Sequence, residues 1–247
     1  MGSRNPESHP GRTGRIPAID LARTAAIVAM ALFHLGRDLD MYGVTPPGSS
    51  YGAGWFWAAR LIAGSFLFLV GIGLWLGHGR GVRWGPFLRR LAMVAAGAAL
   101  VSAGTYLAVP QAWVRYGILH SITVSSVIAL AFLRLPAPIT ALAGIGALLL
   151  PRWVALEAPP LFWTGLAAPV PPQVDFEPLF PWLAPVLLGL AAAKAADRAG
   201  WLDRLRDPNP PRWLDRLAWP GRHSLAIYLL HQPILVGLVL GWRALAG

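Results

Sequence analysis

Long apolar segments recur along almost the whole chain and constrain its fold more than any other feature. A helix needs about 20 predominantly apolar residues to cross the hydrocarbon core of a bilayer. Hydrophobic residues make up 55% of the 247 residues and charged residues only 13%, whereas soluble domains carry about 25% charge. Because backbone polar groups must be satisfied inside lipid, such segments form helices. The sequence therefore predicts an all-α, polytopic membrane helix bundle.

We predict about seven transmembrane helices. The spans are 17–36, 55–77, 88–109, 116–134, 138–150, 179–196 and 222–243. The fifth is short for a bilayer. The second span contains three glycines that favour close packing between helices, namely Gly64, Gly71 and Gly73.

The segments outside the spans differ in kind. Residues 1–15 are rich in Pro, Gly, Ser and Arg, and we expect a disordered cytosolic tail there. Residues 16–247 then form the membrane domain. The Pro-rich segment 151–178 is too apolar for a free linker, so we expect it to pack on the outer mouth of the bundle, as long functional loops often do.

Basic residues set the predicted orientation. Most of the 21 Lys and Arg residues precede the first span or follow the second and sixth, and few lie in the opposite loops. By the positive-inside rule the N-terminus is cytosolic and the C-terminus is outside. Anionic lipid next to these loops accounts for the net charge of +10. We therefore expect a multi-pass protein of a bacterial-type inner cell membrane, in contact with lipid and with no nucleic-acid partner.

The first apolar segment carries polar residues that are costly in lipid. On a helix of about 100° per residue, Asp20, His34 and Asp38 share one stripe, with Arg23 at its edge. Ionisable groups inside a membrane are functional candidates by default. Asp20 and Arg23 also fit an ordinary ion pair between residues three apart. His34, where the stripe reaches the outer side, is the position that the pattern most favours for catalysis.

Two further histidines belong to the outer half of the predicted bundle. His120 lies near the outer end of the fourth span, and His231 lies in the seventh, where Pro233 interrupts the helical ladder. Both also fit buried hydrogen bonds between helices. Because imidazoles and carboxylates together can transfer protons, we predict a catalytic set of His34, Asp38, His120 and His231. A group from another helix is the first choice for orienting His34, and Asp38 is the second.

Several segments, in the right order, resemble a known family. The superfamily of type 3 acyltransferases has first, second and final helices that are similar to DLARTAAIVAMALFH, FLFLVGIGLWL and SLAIYLLHQP. Bacterial relatives of heparan-alpha-glucosaminide N-acetyltransferase resemble this chain more closely, in YGILHSITVSSVIAL, DFEPLFPWLAPVLLGLA and GRHSLAIYLLHQPIL. The resemblance covers about residues 15–243. Thr24 stands where the superfamily has glycine, and residues 36–54 lack the loop histidine of the lysosomal enzyme.

The resemblance implies an integral membrane acyltransferase. Such an enzyme takes an acetyl group from cytosolic acetyl-CoA and passes it to an acceptor on the outer side, which we expect to be a sugar or glycoconjugate. The resemblance assigns His34 as catalytic and Arg23 as its companion. We place the CoA site at the cytosolic face, because guanidinium groups suit phosphate oxygens, although positive-inside charge explains the loop arginines equally well. The predicted residues are Asp20, Arg23, Arg80, Arg83, Arg89 and Arg90.

Two other function classes stay open on the sequence alone. A proton-coupled transporter would use the same polar stripe, although we find no convincing internal repeat. A membrane scaffold without catalysis is the second class. The chain has no cysteine, so it offers no thiolate nucleophile and no Cys-based metal site, and we expect no metal. A homodimer is a candidate assembly.

Overall fold

The computed structural model describes residues 15–207 and 210–246. The helices of this part are α1 (Pro17–Met41), α2 (Ala53–His78), α3 (Trp84–Ala108), α4 (Ile118–Phe132), α5 (Ala137–Leu149), α6 (Leu179–Arg198), α7 (Trp201–Arg204), α8 (Arg212–Leu217), α9 (Trp219–Arg222) and α10 (Ser224–Ala246). Isolated β-bridges are the only β-structure within the described ranges, so the all-α class is confirmed. The predicted tail, residues 1–15, lies outside the described residues except for Arg15, whose carbonyl accepts the Asp207 N–H at 3.1 Å.

Five of the described helices are long and apolar enough to cross a membrane: α1, α2, α3, α6 and α10. They coincide with five of the predicted spans. The segments 116–134 and 138–150 fold as α4 and α5, which have 15 and 13 residues. Both fall short of the roughly 20 residues that a straight crossing requires. A multi-pass bundle is therefore supported, whereas the count of about seven spans is not confirmed.

The central helix of the bundle is α6. It packs most extensively against α2 and α5, and 56% of its most apolar stretch is buried, against 11% for α3 and α10. A Cβ atom on Gly71 of α2 would lie 2.0 Å from the Val186 carbonyl oxygen, and one on Gly189 would lie 2.0 Å from that of Phe68. Glycine therefore lets the two backbones touch. Gly71 has the packing role that the sequence predicts for it.

Lys194 fastens α6 to the turn between α4 and α5. Its residue surface is only 2% exposed. Its Nζ donates hydrogen bonds to the carbonyl oxygens of Phe132 and Leu135, at 2.5 and 2.8 Å, and to Thr140 Oγ1 at 2.9 Å. An ammonium group has three N–H donors, so every donor of this buried cation is used. The lysine thus fixes the end of α4 and the start of α5 beside the last turns of α6.

The segment between α6 and α10 folds onto the beginning of α1. Thr24 Oγ1 lies 2.9 Å from the Leu217 carbonyl oxygen and accepts the Gly221 N–H at 2.9 Å. A Cβ atom on Gly221 would lie 1.9 Å from the Asp20 carbonyl oxygen. Thr24, the residue that departs from the superfamily pattern, therefore makes a contact that glycine could not make.

The Pro-rich segment 151–178 packs on the end of the bundle where α4 begins. Gln173 Oε1 accepts the N–H groups of Arg115 and Tyr116 at 3.1 and 3.0 Å. Asp175 Oδ2 accepts the N–H of Ile118, in the first turn of α4, at 3.2 Å. Because α4 starts here and ends beside Lys194, it extends along much of the length of α6.

Candidate active site

The helices α1 and α10 bring His34 and His231 together. Their ring centroids are 4.9 Å apart, and the ring planes make an angle of 63°. We call these two residues the histidine pair. No hydrogen bond joins His34 to another described residue, and its imidazole is only partly buried. Its nitrogens therefore remain available to a ligand.

The backbone of α10 fixes the tautomer of His231. Its Nδ1 lies 2.5 Å from the Tyr228 carbonyl oxygen. A carbonyl oxygen only accepts, so Nδ1 must carry the hydrogen, and in the neutral ring Nε2 then holds a lone pair. This Nε2 is buried and has no hydrogen-bond partner among the described residues. His231 is thus ready to accept a proton or a hydrogen bond next to His34.

Asp38 is bound to α10 and makes no hydrogen bond with His34. Because α1 continues five residues beyond its predicted end at 36, Asp38 lies within the helix and is 2% exposed. Its Oδ1 accepts a hydrogen bond from Gln232 Nε2 at 2.9 Å. The His34 ring contacts Phe33 on its own helix and His231 on another helix, at 5.6 and 4.9 Å between centroids. An orienting role for His231 stays a prediction.

His120 contacts neither member of the histidine pair. Its Nδ1 accepts the Gly117 N–H at 3.2 Å, which leaves Nε2 as the donor toward Ser102 Oγ at 3.4 Å. Ser102 Oγ in turn donates to the Val114 carbonyl oxygen at 2.7 Å. Both ring nitrogens of His120 are therefore engaged at the start of α4. This geometry favours the hydrogen-bonding role that the sequence left open beside the catalytic one.

A second polar cluster lies about 16 Å along α1 from His34, at about 1.5 Å per residue. Arg23 Nη1 pairs with Asp20 Oδ1 at 3.1 Å, as the three-residue spacing predicts. Arg90 of α3 reaches the same place: a Cβ atom on Gly73 would lie 3.2 Å from Arg23 Nη2 and 3.3 Å from Arg90 Nη1. Gly73 thus leaves room for two guanidinium groups, here called the arginine pair, and makes no backbone contact like that of Gly71. Arg90 has no ion pair within the described residues.

The other predicted CoA residues do not join the arginine pair. In the described part of the chain, the side chains of Arg80, Arg83 and Arg89 make no hydrogen bond or ion pair. A cleft opens beside Arg90 between α2, α3 and α4. It is mostly apolar and is lined by Leu74, His78, Phe87, Arg90, Leu91, Val94, Ile122, Thr123 and Ser126.

Comparison with known proteins assigns the chain that carries these clusters to one family. The family model described as "Heparan-alpha-glucosaminide N-acetyltransferase, catalytic" matches residues 15–233. The chain belongs to this family. No curated protein and no solved structure matches it. The match indicates a membrane acetyltransferase, and the matched region contains both the histidine pair and the arginine pair.

Two carboxylates, Asp175 and Glu177, lie at the end of the bundle near the histidine pair. The predicted site did not include them. Burial raises the pKa of Asp175 to about 6, against the opposing effect of the Ile118 N–H. Burial, and then the charge of Asp175, raises the pKa of Glu177 to about 8, against the opposing effects of Arg60 and Trp182. Both carboxylates interact electrostatically with Tyr228, whose carbonyl oxygen holds His231. This end of the bundle therefore offers polar groups beyond the two histidines.

Arg60 contributes to the carboxylate end of the bundle and makes no ion pair with Asp38. Its guanidinium carbon lies 3.4 Å from the centroid of the Phe56 ring, and its charge acts on Glu177. Stacking on an aromatic face stabilises a guanidinium group in a partly apolar setting. The side-chain hydrogen bond of Asp38 therefore comes from Gln232 and not from Arg60.

Proposed function

We propose that this chain transfers an acetyl group from acetyl-CoA, bound at the arginine pair, to an acceptor bound at the histidine pair. The observation that carries the proposal is the layout of α1, which presents Arg23 beside Arg90 and, about 16 Å further along, His34 beside His231. Guanidinium groups suit phosphates, and a neutral imidazole suits proton transfer from an attacking amine or hydroxyl. An extended pantetheine arm can cover the separation between the two pairs.

The charges at the arginine pair favour an anion. Two guanidinium groups that approach one point repel each other, and Asp20 neutralises only one of them. A phosphate would neutralise the remaining positive charge and accept hydrogen bonds from both forks. These features support the arginine pair as the site of the CoA phosphates.

The free imidazole of His34 fits either of two routes. In direct transfer, the acceptor nitrogen or oxygen bonds to the acetyl carbon and the C–S bond breaks. The proton of the acceptor passes to His34 and then to the CoA sulfur. In the second route a nitrogen of His34 bonds to the acetyl carbon, the C–S bond breaks, and CoA leaves as a thiol with the imidazole proton. The acceptor nitrogen or oxygen then bonds to the acetyl carbon, the C–N bond to His34 breaks, and the proton of the acceptor returns to the imidazole. His231 Nε2 lies ready to take a proton from the same place.

The orientation belongs to the same proposal, with the arginine pair at the cytosolic side and the histidine pair at the outer side of a cell membrane. The positive-inside rule supports it. The path of α4 and α5 also supports it. Helix α4 runs beside α6 from Asp175 to Lys194, and α5 then runs back beside α6. We infer seven passes from that path. The acceptor is then a sugar or glycoconjugate on the outer side.

Single cysteines can test this orientation, because the chain has none of its own. We expect Leu161→Cys and Leu245→Cys to react with a membrane-impermeant thiol reagent added outside intact cells. Leu217→Cys, which is also exposed, is the matched control and should react only after the cells are opened. Labelling of Leu161→Cys from the cytosolic side alone would reverse the orientation.

Charge reversal tests the donor site. We expect Arg90→Glu to weaken acetyl-CoA binding at least tenfold, because a charge-assisted hydrogen bond to phosphate contributes about 1.5–3 kcal/mol. Arg89→Glu is the matched control, since Arg89 does not reach Gly73. Affinity can be read from the rise in Tm that acetyl-CoA causes, because a ligand of the folded state stabilises it. Equal losses in both variants would remove the arginine pair from the donor site.

Transfer itself is tested with the full chain in proteoliposomes. Acetyl-labelled acetyl-CoA is supplied on one side, and label is sought in sugars and glycolipids on the other. We expect label to appear in an acceptor across the membrane. A protein that binds acetyl-CoA and labels nothing in envelope extracts would favour the scaffold, and one that neither binds nor transfers would overturn the proposal.

A further inference from the structure

Three neighbouring side chains leave buried polar atoms without partners. Asp38 Oδ2, His231 Nε2 and Gln232 Oε1 are inaccessible and make no hydrogen bond with any described residue. Asp38 is almost completely buried, at 2% exposure. Most buried polar atoms in proteins are hydrogen-bonded, so a group of three without partners indicates something that binds there.

Contacts through their other atoms link these three side chains to one another and to His34. Asp38 and Gln232 share a hydrogen bond of 2.9 Å through their other head-group atoms. His231 precedes Gln232 in the chain and interacts electrostatically with Asp38. The ring of His34 lies 4.9 Å from the ring of His231. The unpartnered atoms therefore border the place where acetyl transfer is proposed to occur.

All three atoms are hydrogen-bond acceptors. Asp38 contributes a carboxylate oxygen. Gln232 contributes an amide oxygen, because its nitrogen is assigned to the bond with Asp38. His231 contributes a ring nitrogen with a lone pair, because its other nitrogen donates to Tyr228. Three unpartnered acceptor atoms match a ligand group rich in N–H or O–H bonds.

We propose that Gln232, Asp38 and His231 form the pocket that binds the reacting N–H or O–H group of the acceptor, with Gln232 as a positioning residue. The proposal rests on the proposed function and adds the atoms that hold the nucleophile. Gln232 holds the Asp38 carboxylate with one N–H and presents its own oxygen to the ligand. It also ties α10 to α1, so the same side chain helps to place the two histidines.

A primary amine and a hydroxyl group share this donor chemistry and differ in number of donors. A protonated amine has three N–H bonds and a charge that Asp38 can neutralise, whereas a hydroxyl group has one O–H bond. Methyl glucosaminide and methyl glucoside differ only in this group and serve as probes. Stronger binding of the first would identify the ammonium group as the ligand, and equal binding would identify the hydroxyl groups.

The test uses the full chain in proteoliposomes or detergent, with Gln232→Met and Gln232→Glu. Methionine keeps the volume and removes the amide, and glutamic acid keeps an acceptor oxygen. We expect Gln232→Met to raise the KM for the better probe about tenfold, with kcat less affected and acetyl-CoA affinity unchanged. Gln232→Glu keeps the acceptor oxygen but loses the N–H that holds Asp38, so it should recover only a small part of the loss. Gln173→Met, which removes another partly buried glutamine, should lower Tm without changing that KM.

Direct binding of each probe, measured by calorimetry without acetyl-CoA, separates this proposal from the proposed function. Binding that Gln232→Met weakens, without transfer by the unaltered chain, would support the pocket and reject the acetyltransferase. Transfer with unchanged probe affinity in a folded Gln232→Met would reject the pocket and keep the enzyme. If the unaltered chain bound neither probe, the pocket would be rejected as a site for such groups.

Discussion

Replacing His34 with alanine is expected to reduce acetyl transfer by about two to four powers of ten, the usual scale for the loss of a general base. His34 makes no hydrogen bond with the described residues, so the substitution removes an available imidazole and breaks no such bond. The arginine pair is about 16 Å away along α1. We therefore expect His34→Ala to fold and to bind acetyl-CoA normally, as measured by Tm and by ligand-induced stabilisation.

The alanine variants of His120 and His231 provide the comparison for His34→Ala. His120→Ala breaks hydrogen bonds at the start of α4, so it should lower Tm more than it lowers the transfer rate of the folded protein. His231→Ala should slow transfer by a smaller factor than His34→Ala. Near-normal transfer by His34→Ala, together with inactive but folded His231→Ala, would move the central catalytic role to His231.

The sequence predicts the long helices well, because apolar length is a local property. The spans 17–36, 55–77 and 179–196 each correspond to a helix that begins within two residues of the predicted start. The short helices α4 and α5 are different. Their position beside α6 depends on hydrogen bonds from the buried Lys194, and a lysine near a span end is equally typical of an orienting charge. Tertiary contacts decide such cases.

The sequence predicts the members of the candidate site better than their partners. Helical periodicity placed His34 and Asp38 on one stripe of α1, but it does not say which helix faces that stripe. The contact with α10 supplies His231 and Gln232. Gln232 was not predicted, although an amide next to a histidine in an apolar helix was the available signal. The catalytic roles of His34, Asp38, His120 and His231 remain predictions.

Gly71 and Gly73 lie two residues apart in α2 and have different roles that the sequence alone does not distinguish. Replacing Gly71 gives the second large expected effect. Both were predicted to allow helix packing. We expect Gly71→Ala to lower the free energy of unfolding by about 3 kcal/mol or more, because its Cβ would lie 2.0 Å from the Val186 carbonyl oxygen and 2.6 Å from the Leu190 nitrogen. Backbone atoms of the central helix cannot move aside locally.

Gly73→Ala is the matched control for that substitution. Its Cβ meets only the tips of Arg23 and Arg90, at 3.2 and 3.3 Å, and these flexible side chains can move. We expect near-normal Tm and reduced acetyl-CoA affinity, because the methyl group separates the two guanidinium groups. Thermal unfolding of both variants in detergent, with and without acetyl-CoA, measures both effects. A stable Gly71→Ala would contradict the α2–α6 backbone contact, and unchanged affinity in Gly73→Ala would mean that the donor phosphates bind away from the arginine pair.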